Sequence, residues 1–539
     1  MAEMTRRGFV AMGAGVAAAG AIAGTTALAS ESAKADKAAS GSKEPGESVE
    51  ADVVIAGAGA AGIWAAVEAC RAGKSVIVVE KAASIGMANG ALAGGPFMVG
   101  SRLQNEAGID FTVDEAFNHI MDYAHWSINA PVVKRCVEIS GETVDLFTDD
   151  FGIEMNMRPD NYGAGHESVR ARFGTAEKNV RGEDRFLPIE QWCEQRGAQF
   201  VFDCSLSSLV MEDGVCRGMD CVRGDGSELR VLGQAVLVAT GGFLGNDEMM
   251  MERFGTKVNP LGNTLSDGTG IEAVIEAGGV YGTQWGIAGN EFTGSSDKVT
   301  PVYDRKNPAF CCGIYGTLLV NHTGRRFANE AKFANLPLAI GGAISLVGGS
   351  YYAVVDQAYV DSLEGSDAWT ANGGDEEGWP TGKMTLAGTK LENIQAGFDT
   401  AVEEGWGHKA DTIEALAEAI GCPDLVDAVA TYNASCAAGA DEVFYKPASF
   451  MRAVETGPFY ALEFQPSAWV TIGGVRTNDR LQAIDRTGAA IEGLYVAGAD
   501  NGSTISAPYC DYEGTSLMTA YCAGRLAGEW MCEDIDARA

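Results

Sequence analysis

The stretch ADVVIAGAGAAGIWAAVEACRAGKSVIVVE, residues 51–80, decides the fold. It opens on a short run rich in Val and Ile, which predicts a buried parallel strand. The glycine-rich turn GAGAAG follows at residues 57–62, and residues 63–72 have the composition of a helix. Residues 74–80 then form a second apolar run that closes on an acid. This order of strand, turn, helix, strand and acid predicts an α/β fold that begins with a βαβ unit.

The glycines of this unit predict a site for a dinucleotide. Gly57 permits a tight turn, Gly59 lets a pyrophosphate approach the backbone, and Gly62 lets the helix pack closely on the strand. The helix N-terminus supplies unpaired N–H groups and the positive end of its dipole to the phosphates. Glu80 stands at the separation expected of an acid that accepts hydrogen bonds from ribose hydroxyls. A glycine-rich turn without a ligand is the alternative.

Two later segments favour FAD over NAD as the dinucleotide. Residues 236–242 predict a strand that runs into a pair of glycines, and residues 493–500 predict another that runs into Gly498 and Asp500. Asp500 is then well placed for a ribityl hydroxyl. Because no second strand is followed by Gly-x-Gly-x-x-Gly, a separate nicotinamide domain is not expected.

Composition and charge exclude some partners. The 539 residues carry 39 basic and 73 acidic side chains, a net charge of −34, so nucleic acid is not an expected partner. The five histidines have no metal-binding spacing, and no metal is expected. The thirteen cysteines include no Cys-x-x-Cys pair and no haem-attachment motif. An iron–sulfur cluster built from distant cysteines stays open, although no motif supports one.

The N-terminal residues predict export. TRRGFV at residues 5–10 precedes an uncharged stretch rich in Ala and Gly, and ALA at residues 27–29 resembles a signal peptidase site. We interpret residues 1–29 as a twin-arginine signal peptide and residues 30–50 as a flexible linker. A membrane anchor is the weaker alternative, because Gly and Ala contribute little hydrophobic transfer energy. The expected location is periplasmic or at the cell surface, with membrane association left open.

These segments, in this order, resemble the fumarate reductase/succinate dehydrogenase flavoprotein superfamily, which also contains 3-ketosteroid dehydrogenases and exported reductases of anaerobic bacteria. The resemblance covers nearly all of the chain after residue 50. Its further motifs are GMAN at residues 86–89 running to Gly94-Gly95, NHTGRRFANE at 321–330, TIGGV at 471–475 and GRLAG at 524–528. It implies an α/β, Rossmann-like FAD-binding domain split between residues 51–285 and 455–539. An α+β capping domain at residues 286–454 would be inserted between the two parts, with the substrate between the cap and the flavin.

The resemblance also implies which residues hold the flavin. Succinate dehydrogenases attach FAD to a histidine before the equivalent of Gly94-Gly95, and this chain has none there, so the FAD is expected to be non-covalent. Ser516 and Leu517, at a helix N-terminus, would present backbone N–H groups to the pyrimidine edge of the flavin. The expected cofactor-binding residues are Gly57, Gly59, Ala60, Ala61, Gly62, Glu80, Lys81, Ala88, Asn89, Gly94, Gly95, Thr240, Gly241, Asp267, Asp500, Ser516 and Leu517.

The charged residues with which fumarate reductases hold a dicarboxylate and deliver a proton do not occur at the matching positions. Those positions hold Trp469 or Val470, Phe333 or Ala334, Phe310, Gly313 and Tyr509. Fumarate and succinate are therefore not expected as substrates, because nothing identified replaces the missing ion pairs. Phe310, Phe333 and Trp469 would instead form, with Tyr509, a neutral aromatic-walled substrate pocket suited to a ring or an enone.

A tyrosine is the expected catalytic residue. In 3-ketosteroid dehydrogenases, a tyrosine at the position of Tyr509 hydrogen-bonds the ketone of the substrate and promotes enolisation. A phenol can donate a hydrogen bond to a developing enolate and can relay a proton. Tyr512 could take this role if the turn between the two residues places it differently. Packing, with no part in catalysis, is the alternative role for Tyr509.

Four arginines, Arg158, Arg170, Arg172 and Arg181, lie in a polar segment that also contains His166. They could reach a substrate carboxylate if this segment folds over the site. Surface charges are the simpler interpretation.

The sequence thus predicts an FAD-dependent oxidoreductase acting on CH–CH groups. We expect an extracytoplasmic ene-reductase that reduces an α,β-unsaturated carbonyl compound by hydride transfer from flavin N5 to the β-carbon. Its electrons would come from an external carrier, either a membrane quinol chain or a cytochrome, as in anaerobic respiration. One alternative is a 3-ketosteroid-type dehydrogenase running in the oxidative direction. Another is a flavin electron-transfer or binding protein without substrate chemistry.

Overall fold

Strand β1 (Ser48–Ala56) lies in the middle of an eight-stranded sheet. Val53 and Ile55 pack on one face of the sheet while Val54 and Ala56 pack on the other, and all four are buried. Both faces are covered, which is why the run is continuously apolar rather than alternating. The computed structural model describes residues 46–157, 170–175, 178–256, 258–288, 291–294, 307–315, 318–335, 349–367 and 390–539.

The other elements follow in chain order. The strands are β2 (Val76–Val79), β3 (Met155–Met157), β4 (Ala171–Phe173), β5 (Gln199–Val201), β6 (Cys204–Glu212), β7 (Val215–Arg223), β8 (Glu228–Val238), β9 (Asn259–Pro260), β10 (Gly286–Ala288), β11 (Glu291–Gly294), β12 (Leu318–Asn321), β13 (Tyr351–Asp356), β14 (Gly407–Ala410), β15 (Phe459–Ala468), β16 (Val470–Ile472), β17 (Gln482–Ile484) and β18 (Ala490–Val496). The helices are α1 (Ala60–Arg71), α2 (Asn89–Leu92), α3 (Arg102–Glu106), α4 (Val113–Tyr123), α5 (Ala130–Asp149), α6 (Glu183–Glu194), α7 (Asp247–Phe254), α8 (Thr269–Glu276), α9 (Cys312–Tyr315), α10 (Glu330–Asn335), α11 (Gln357–Leu363), α12 (Ile394–Glu403), α13 (Ile413–Ile420), α14 (Leu425–Ala438) and α15 (Thr515–Arg538). No helix in the described ranges combines the length and the apolar character that crossing a membrane requires.

The first sheet has a parallel centre and antiparallel edges. Its strand order is β17-β18-β8-β1-β2-β5, and β7 joins β8 to β6. β1 is parallel to β2 and β8, while the β6–β7 and β17–β18 pairs are antiparallel. Ala56 lies in register with Val79 on one side and with Val238 on the other. The C-terminal ends of β1, β2 and β8 therefore meet at one edge of the sheet.

Helices α1 and α15 pack against each other on one face of this sheet. A Cβ at Gly524 would lie 2.2 Å from the carbonyl oxygen of Ala61, so the close approach of the two helices requires glycine there. The contact also buries an ion pair, in which the Arg525 Nε donates to the Glu68 Oε1 at 2.8 Å. Strand β8 and helices α7 and α8 contribute to the apolar cluster on the other face.

The second sheet is built around β15. β11, β13 and β14 pair with β15 in antiparallel fashion, β9 pairs with it in parallel, and β12 pairs with β13. Helices α11 and α12 contribute to the apolar cluster on this sheet, which includes Phe310, Phe333, Trp406 and Phe464. Two further strand pairs stand apart, β3 with β4 and β10 with β16.

The described strands cross two of the expected boundaries, one drawn from composition and one implied by the family resemblance. β1 begins at Ser48, inside the expected linker, because Ser48–Ala51 pair with residues 230–233 of β8. The second sheet includes β15 at residues 459–468, beyond the boundary expected at 454. Residues 1–45, which contain the expected signal peptide and most of the linker, lie outside the described residues, as do Arg158 and His166.

Candidate active site

A cavity of about 820 Å³ opens at the C-terminal ends of β1, β2 and β8. Ala56, Val79 and Ala239, at or just beyond these ends, line it. Open α/β sheets bind their ligands at this edge, where parallel strands stop and loops begin. The N-termini of α1 and α15 also reach the cavity, through Ala60 and Ser516. The positive ends of two helix dipoles therefore act on the same space.

The glycine-rich turn after β1 forms one wall of the cavity. Gly57 has a φ of +100°, and a Cβ there would lie 2.4 Å from the carbonyl oxygen of Ala239. A Cβ at Gly62 would lie 1.8 Å from the carbonyl oxygen of Gly57, so neither position tolerates a side chain. Gly59 differs, since within 4 Å a Cβ there would meet the Cβ of Ala88 alone, at 3.6 Å. The turn is thus tightly packed behind and open toward the cavity.

Glu80 shapes the same wall with both carboxylate oxygens. Its Oε2 accepts the Ala58 N–H at 2.7 Å, and its Oε1 accepts the Ala82 N–H at 2.8 Å. The side chain stays partly exposed and lines the cavity. Because an ionised carboxylate can accept about four hydrogen bonds, Glu80 can hold the turn and still bind a ligand hydroxyl.

Lys81 and Asp267 form an ion pair in the lining. The Lys81 Nζ donates to the Asp267 Oδ2 at 2.7 Å and to the carbonyl oxygen of Leu265 at 3.1 Å. Burial raises the pKa of Asp267, but hydrogen bonds from Lys81 and Thr269 outweigh burial and hold this pKa below its ordinary value of 3.8. The pair therefore adds no net charge to the cavity.

Asp500 lies behind the cavity wall. Its Oδ1 accepts the Gly242 N–H at 2.8 Å, and its Oδ2 accepts the Thr240 hydroxyl at 2.9 Å and the Thr240 N–H. Burial raises the pKa of Asp500, and these hydrogen bonds offset part of that rise. The contact expected between Asp500 and a ribityl hydroxyl does not fit this arrangement, because the fully buried carboxylate anchors the Thr240–Gly242 turn. From the same segment, Gly498 and Ala499 line the cavity instead.

Helix α15 begins at the cavity beside Tyr509. Gly514 caps the helix with a φ of +89°, and Ser516 and Leu517 line the cavity. The Ser516 N–H donates to the hydroxyl oxygen of Tyr509 at 3.0 Å. Tyr509 is 5% exposed and also lines the cavity, and burial raises its pKa. Its oxygen is thus held by the backbone, and its own proton can be donated to a second partner.

Residues 52–517 match a family model described as an FAD binding domain. This chain belongs to that family of FAD-binding proteins. The matched range contains the glycine-rich turn, Glu80, Asp500 and the first residues of α15, so the family assignment rests on the same elements that surround the cavity.

Three relatives of this FAD-binding protein are similar over most of its length. It is 28% identical to the vinyl phenol reductase of Lactiplantibacillus plantarum, across 88% of this chain and 95% of that protein. It is 27% identical to the NADH:acrylate oxidoreductase of Vibrio harveyi, across 74% of this chain but 36% of that longer protein. It is 24% identical to the 3-oxosteroid 1-dehydrogenase of Mycolicibacterium smegmatis, across 86% of this chain and 94% of that protein.

Two solved structures share the fold. The open conformation of a flavocytochrome c3 fumarate reductase matches with a TM-score of 0.62 and 22% identity, over 91% of this chain and 79% of that one. The 3-ketosteroid delta1-dehydrogenase from Sterolibacterium denitrificans matches with a TM-score of 0.67 and 16% identity, over 90% of this chain and 100% of that one. These matches confirm the expected fold class, a Rossmann-like α/β FAD-binding domain with an inserted α+β cap. With the family match, they confirm the resemblance to the fumarate reductase flavoprotein superfamily.

The cofactor of the family fits the residues of the cavity. The tight turn at Gly57, the helix N-terminus at Ala60 and the carboxylate of Glu80 are the groups that phosphates and a ribose need. Gly62 and Asp500 stand behind the wall. The expected cofactor-binding residues that line the cavity are Gly57, Gly59, Ala60, Ala61, Glu80, Lys81, Ala88, Asn89, Gly94, Gly95, Thr240, Gly241, Asp267, Ser516 and Leu517.

Of the three aromatic residues expected to form the substrate pocket with Tyr509, one belongs to the described lining of the cavity. Trp469 lines the cavity, but Phe310 and Phe333 do not belong to the described lining. Phe310 packs edge-on against Trp406 in the core of the second sheet, and Phe333 is buried in the same cluster. Both rings pack in the interior of the cap. Their role is therefore to fill this core rather than to contact a substrate. Smaller apolar residues complete the wall near Tyr509, namely Ala288, Val470 and Ile505.

Tyr512 also lies away from the described lining of the cavity. Its ring stacks on Phe97 with centroids 5.2 Å apart and on His119 with centroids 4.0 Å apart. The loop that carries both tyrosines therefore brings Tyr509 to the cavity and Tyr512 into an aromatic cluster.

An ion pair between Arg170 and Glu513 lines the cavity. The sequence did not indicate that these two residues contact each other. Of the two interpretations of Arg170, a surface charge or a residue that reaches the site, the structure favours the second, because its side chain is only 8% exposed and lines the cavity. Its Nη1 contacts the Glu513 Oε2, and its Nε donates to the carbonyl oxygen of Gly95 at 3.0 Å. In the sequence, the indication that Glu513 belongs to the site was its position next to Gly514, the glycine that caps α15. The two residues are far apart in sequence, so their pairing could not be inferred.

The cysteines are free thiols, and all but Cys436 are buried. Within the described ranges, the one group of three residues with metal-ligand spacing is His119, Cys510 and Asp511. No set of three cysteines comes together in that part of the chain.

Proposed function

We propose that this protein is an FAD-dependent oxidoreductase that reduces the activated C=C bond of an α,β-unsaturated carbonyl compound or a closely related conjugated molecule. The observation that carries this proposal is the position of Tyr509, whose hydroxyl is held by the Ser516 N–H in the wall of the FAD cavity. Two similar proteins are named for the reduction of conjugated C=C bonds, vinyl phenol reductase and NADH:acrylate oxidoreductase.

The chemistry that bound FAD supplies is hydride transfer at N5. We assign the pyrophosphate to the N-terminus of α1 beyond Gly57, and the adenosine ribose to Glu80. We also propose that the FAD is non-covalent. Residues 88–95, which contribute much of the lining, read ANGALAGG and contain no histidine, cysteine or tyrosine that could form a covalent link.

Tyr509 is the residue that we assign to the substrate oxygen. Its hydroxyl accepts the Ser516 N–H, which orients the phenol and strengthens it as a donor. Burial raises its pKa, so the hydroxyl stays protonated at neutral pH. A donor in this position stabilises the negative charge that develops on the carbonyl oxygen when hydride reaches the β-carbon. The same hydroxyl can relay the proton that the α-carbon needs.

The charges of the lining support an uncharged substrate over fumarate. Lys81 contacts Asp267 and Arg170 contacts Glu513, so two of the three cations of the described lining are already paired with acids, and the third is Arg181. Binding a dicarboxylate in a partly desolvated site requires cations that are free to form charge-assisted hydrogen bonds.

We further propose that the electrons come from an external carrier, a membrane quinol chain or a small cytochrome, and that the protein works in the periplasm or at the cell surface. Export is supported by the twin-arginine motif at residues 5–10. A cytochrome as carrier is supported by relatives named as cytochrome-linked fumarate reductases.

A ketosteroid-type dehydrogenase is the second candidate function. It is favoured by the similarity to 3-oxosteroid 1-dehydrogenase, which extends over 94% of that protein. Tyr509 would then hydrogen-bond the ketone of the steroid, and the reaction would run in the oxidative direction.

Purified holoenzyme should be assayed with reduced viologen against enones, vinyl phenols and enoates, and with an acceptor dye against 3-ketosteroids. We expect viologen oxidation with the enones and the vinyl phenols, which are uncharged, and much less with the enoates. Bleaching of the dye with steroid, and no reductive turnover, would favour the second candidate. A folded preparation that binds no FAD would contradict both.

A further inference from the structure

The Arg170–Glu513 ion pair lines the cavity at the Gly95 end of residues 88–95, a segment whose other end lies at the glycine-rich turn. Residues 88–95 connect the two places. Gly90 packs against Ala60 of α1, where a Cβ would lie 2.5 Å from the Ala60 Cβ. At the other end, the carbonyl oxygen of Gly95 accepts the Arg170 Nε–H at 3.0 Å. Because the pyrophosphate belongs at Ala60, Arg170 and Glu513 stand at the end left for the flavin ring and the substrate.

The same end of the cavity holds the other groups assigned to the substrate. Glu513 directly precedes Gly514, the cap of α15, and a Cβ at Gly514 would lie 2.7 Å from the carbonyl oxygen of Gly95. Tyr509 reaches α15 through the Ser516 N–H. Arg170, Glu513, Gly514 and Tyr509 all line the cavity.

The Arg170–Glu513 ion pair is a costly way to link the segments that it joins at Gly95 and Gly514. Arg170 is 8% exposed and Glu513 is 24% exposed, so both charges have lost much of their hydration. Removing two charges from water is unfavourable, and apolar residues of similar volume stabilise a fold at least as well. An ion pair that is costly to bury and opens on a ligand cavity is therefore best explained by what the cavity binds.

The pair also balances the charge of the cavity. The charged residues of the described lining are three acids and three bases, namely Glu80, Asp267, Glu513, Lys81, Arg170 and Arg181. Removal of Glu513 alone would leave Arg170 as a buried cation facing the substrate. Removal of Arg170 alone would leave a carboxylate there, which repels an anion strongly in a low-dielectric site.

We propose that Glu513 and Arg170 determine the charge specificity of the enzyme, so that it selects conjugated alkenes with an uncharged oxygen group and rejects those with a carboxylate. The Glu513 carboxylate already pairs with the Arg170 guanidinium. It therefore holds the position from which a substrate carboxylate would contact Arg170. The ion pair can still exchange hydrogen bonds with a carbonyl or hydroxyl group of a neutral substrate. This inference rests on the proposed function and names the substrate class of the same site.

The test compares two substrates of nearly equal shape, benzalacetone and cinnamate, which differ in a methyl ketone against a carboxylate. We expect wild type to prefer benzalacetone in kcat/KM. Glu513→Gln should shift the preference toward cinnamate by at least about tenfold, equivalent to about 1.4 kcal/mol. Arg170→Gln should shift it further toward benzalacetone, and the double variant should return to within about threefold of wild type.

Asp220→Asn is the matched control, because Asp220 pairs with the Nε of Arg230 at 2.7 Å where β7 pairs with β8 in the first sheet, and neither residue belongs to the described lining of the cavity. It should leave the preference unchanged. FAD content and thermal midpoint are measured for every variant. If Arg170→Gln fails to fold, Arg170→Lys, which keeps the charge, is compared with Glu513→Gln alone and should keep the wild-type preference.

Binding of the two compounds to the oxidised holoenzyme, measured by perturbation of the flavin absorbance, gives a ratio of Kd values that does not require turnover. If wild type reduces neither compound, the proposed reductase function fails for this class, and the Kd ratios still test the charge inference. Equal ratios of Kd and kcat/KM in wild type and folded Glu513→Gln would overturn the inference and leave the reductase function standing.

Discussion

The Ser516 N–H and the Tyr509 hydroxyl form a hydrogen bond of 3.0 Å across the start of helix α15. The orientation of the phenol is therefore set by the backbone of a helix N-terminus. Because the donor belongs to the main chain, the position of the hydroxyl is coupled to the position at which the helix begins.

Tyr509→Phe should lower kcat/KM for conjugated carbonyl substrates by about 10²-fold, because a donor to the developing oxyanion is lost. FAD content and the thermal midpoint should change little. The measurement is steady-state reduction with reduced viologen as the electron donor.

Tyr512→Phe is the matched control for that prediction. It removes a hydroxyl from the same loop but keeps the ring that stacks on Phe97 and His119. Activity should stay within about threefold of wild type. A large loss in Tyr512→Phe with none in Tyr509→Phe would reverse the assignment.

Gly62→Ala and Gly59→Ala should fail in different ways. A Cβ at Gly62 would lie 1.8 Å from the carbonyl oxygen of Gly57, so this variant should destabilise the apoprotein and lose FAD. A Cβ at Gly59 meets the Cβ of Ala88 at 3.6 Å, an ordinary contact, so the apoprotein should keep its stability. Because Gly59 leaves space for the pyrophosphate, its FAD affinity should still fall, by about tenfold or more. Thermal unfolding of apoprotein and flavin titration separate the two effects, and equal apoprotein midpoints would contradict the prediction.

Asp500→Asn should destabilise the protein by roughly 2–4 kcal/mol, because the amide cannot satisfy the Thr240 and Gly242 donors that the carboxylate accepts. Denaturant unfolding of the holoprotein measures this change. Asp485→Asn is the control, since Asp485 accepts the Thr487 N–H in a solvent-accessible turn. Its effect should be much smaller. An Asp500→Asn variant as stable as Asp485→Asn would show that the anchor is unimportant.

Glu190 should make the folded state less stable as the pH rises. Burial, followed by the charges of Glu194 and Glu183, raises the pKa of Glu190 to about 7 from its ordinary value of 4.5. The folded protein then holds a proton that the unfolded chain has released, so the free energy of unfolding falls between about pH 4.5 and pH 7 and is flat above. The loss should be about 3 kcal/mol.

Glu190→Gln should remove this slope, as measured by denaturant unfolding at pH 5 and pH 8. Glu194→Gln, on the exposed side of the same helix, should keep most of it because burial, the largest cause, is unchanged. An identical pH dependence in wild type and Glu190→Gln would contradict the prediction.

The parts of the fold that sequence could predict are local in the chain. The turn at Gly57, the helix after it and the acid at Glu80 lie within thirty residues, and each depends on neighbours in sequence. The start of β1 at Ser48 was missed because it depends on pairing with β8, far along the chain.

The parts of the site that sequence missed depend on distant contacts. Asp500 is 260 positions from Thr240, and nothing local indicates that its carboxylate is used by that turn. Phe310 and Phe333 were expected in the pocket because they stand at positions that contact the substrate in the resembled family. A phenylalanine in the sequence looks the same whether its ring faces a ligand or packs in a core. Arg170 and Glu513 needed the fold to bring them together.

The contact of α15 with α1 has a consequence for the retention of the cofactor. The first helix of the FAD-binding domain and the helix at residues 515–538 both contribute to the one cofactor cavity. A chain that lacks the residues beyond 514 therefore lacks part of the cavity wall, including Ser516 and Leu517. Removal of this helix should therefore yield a protein that retains little flavin even when the glycine-rich turn is intact.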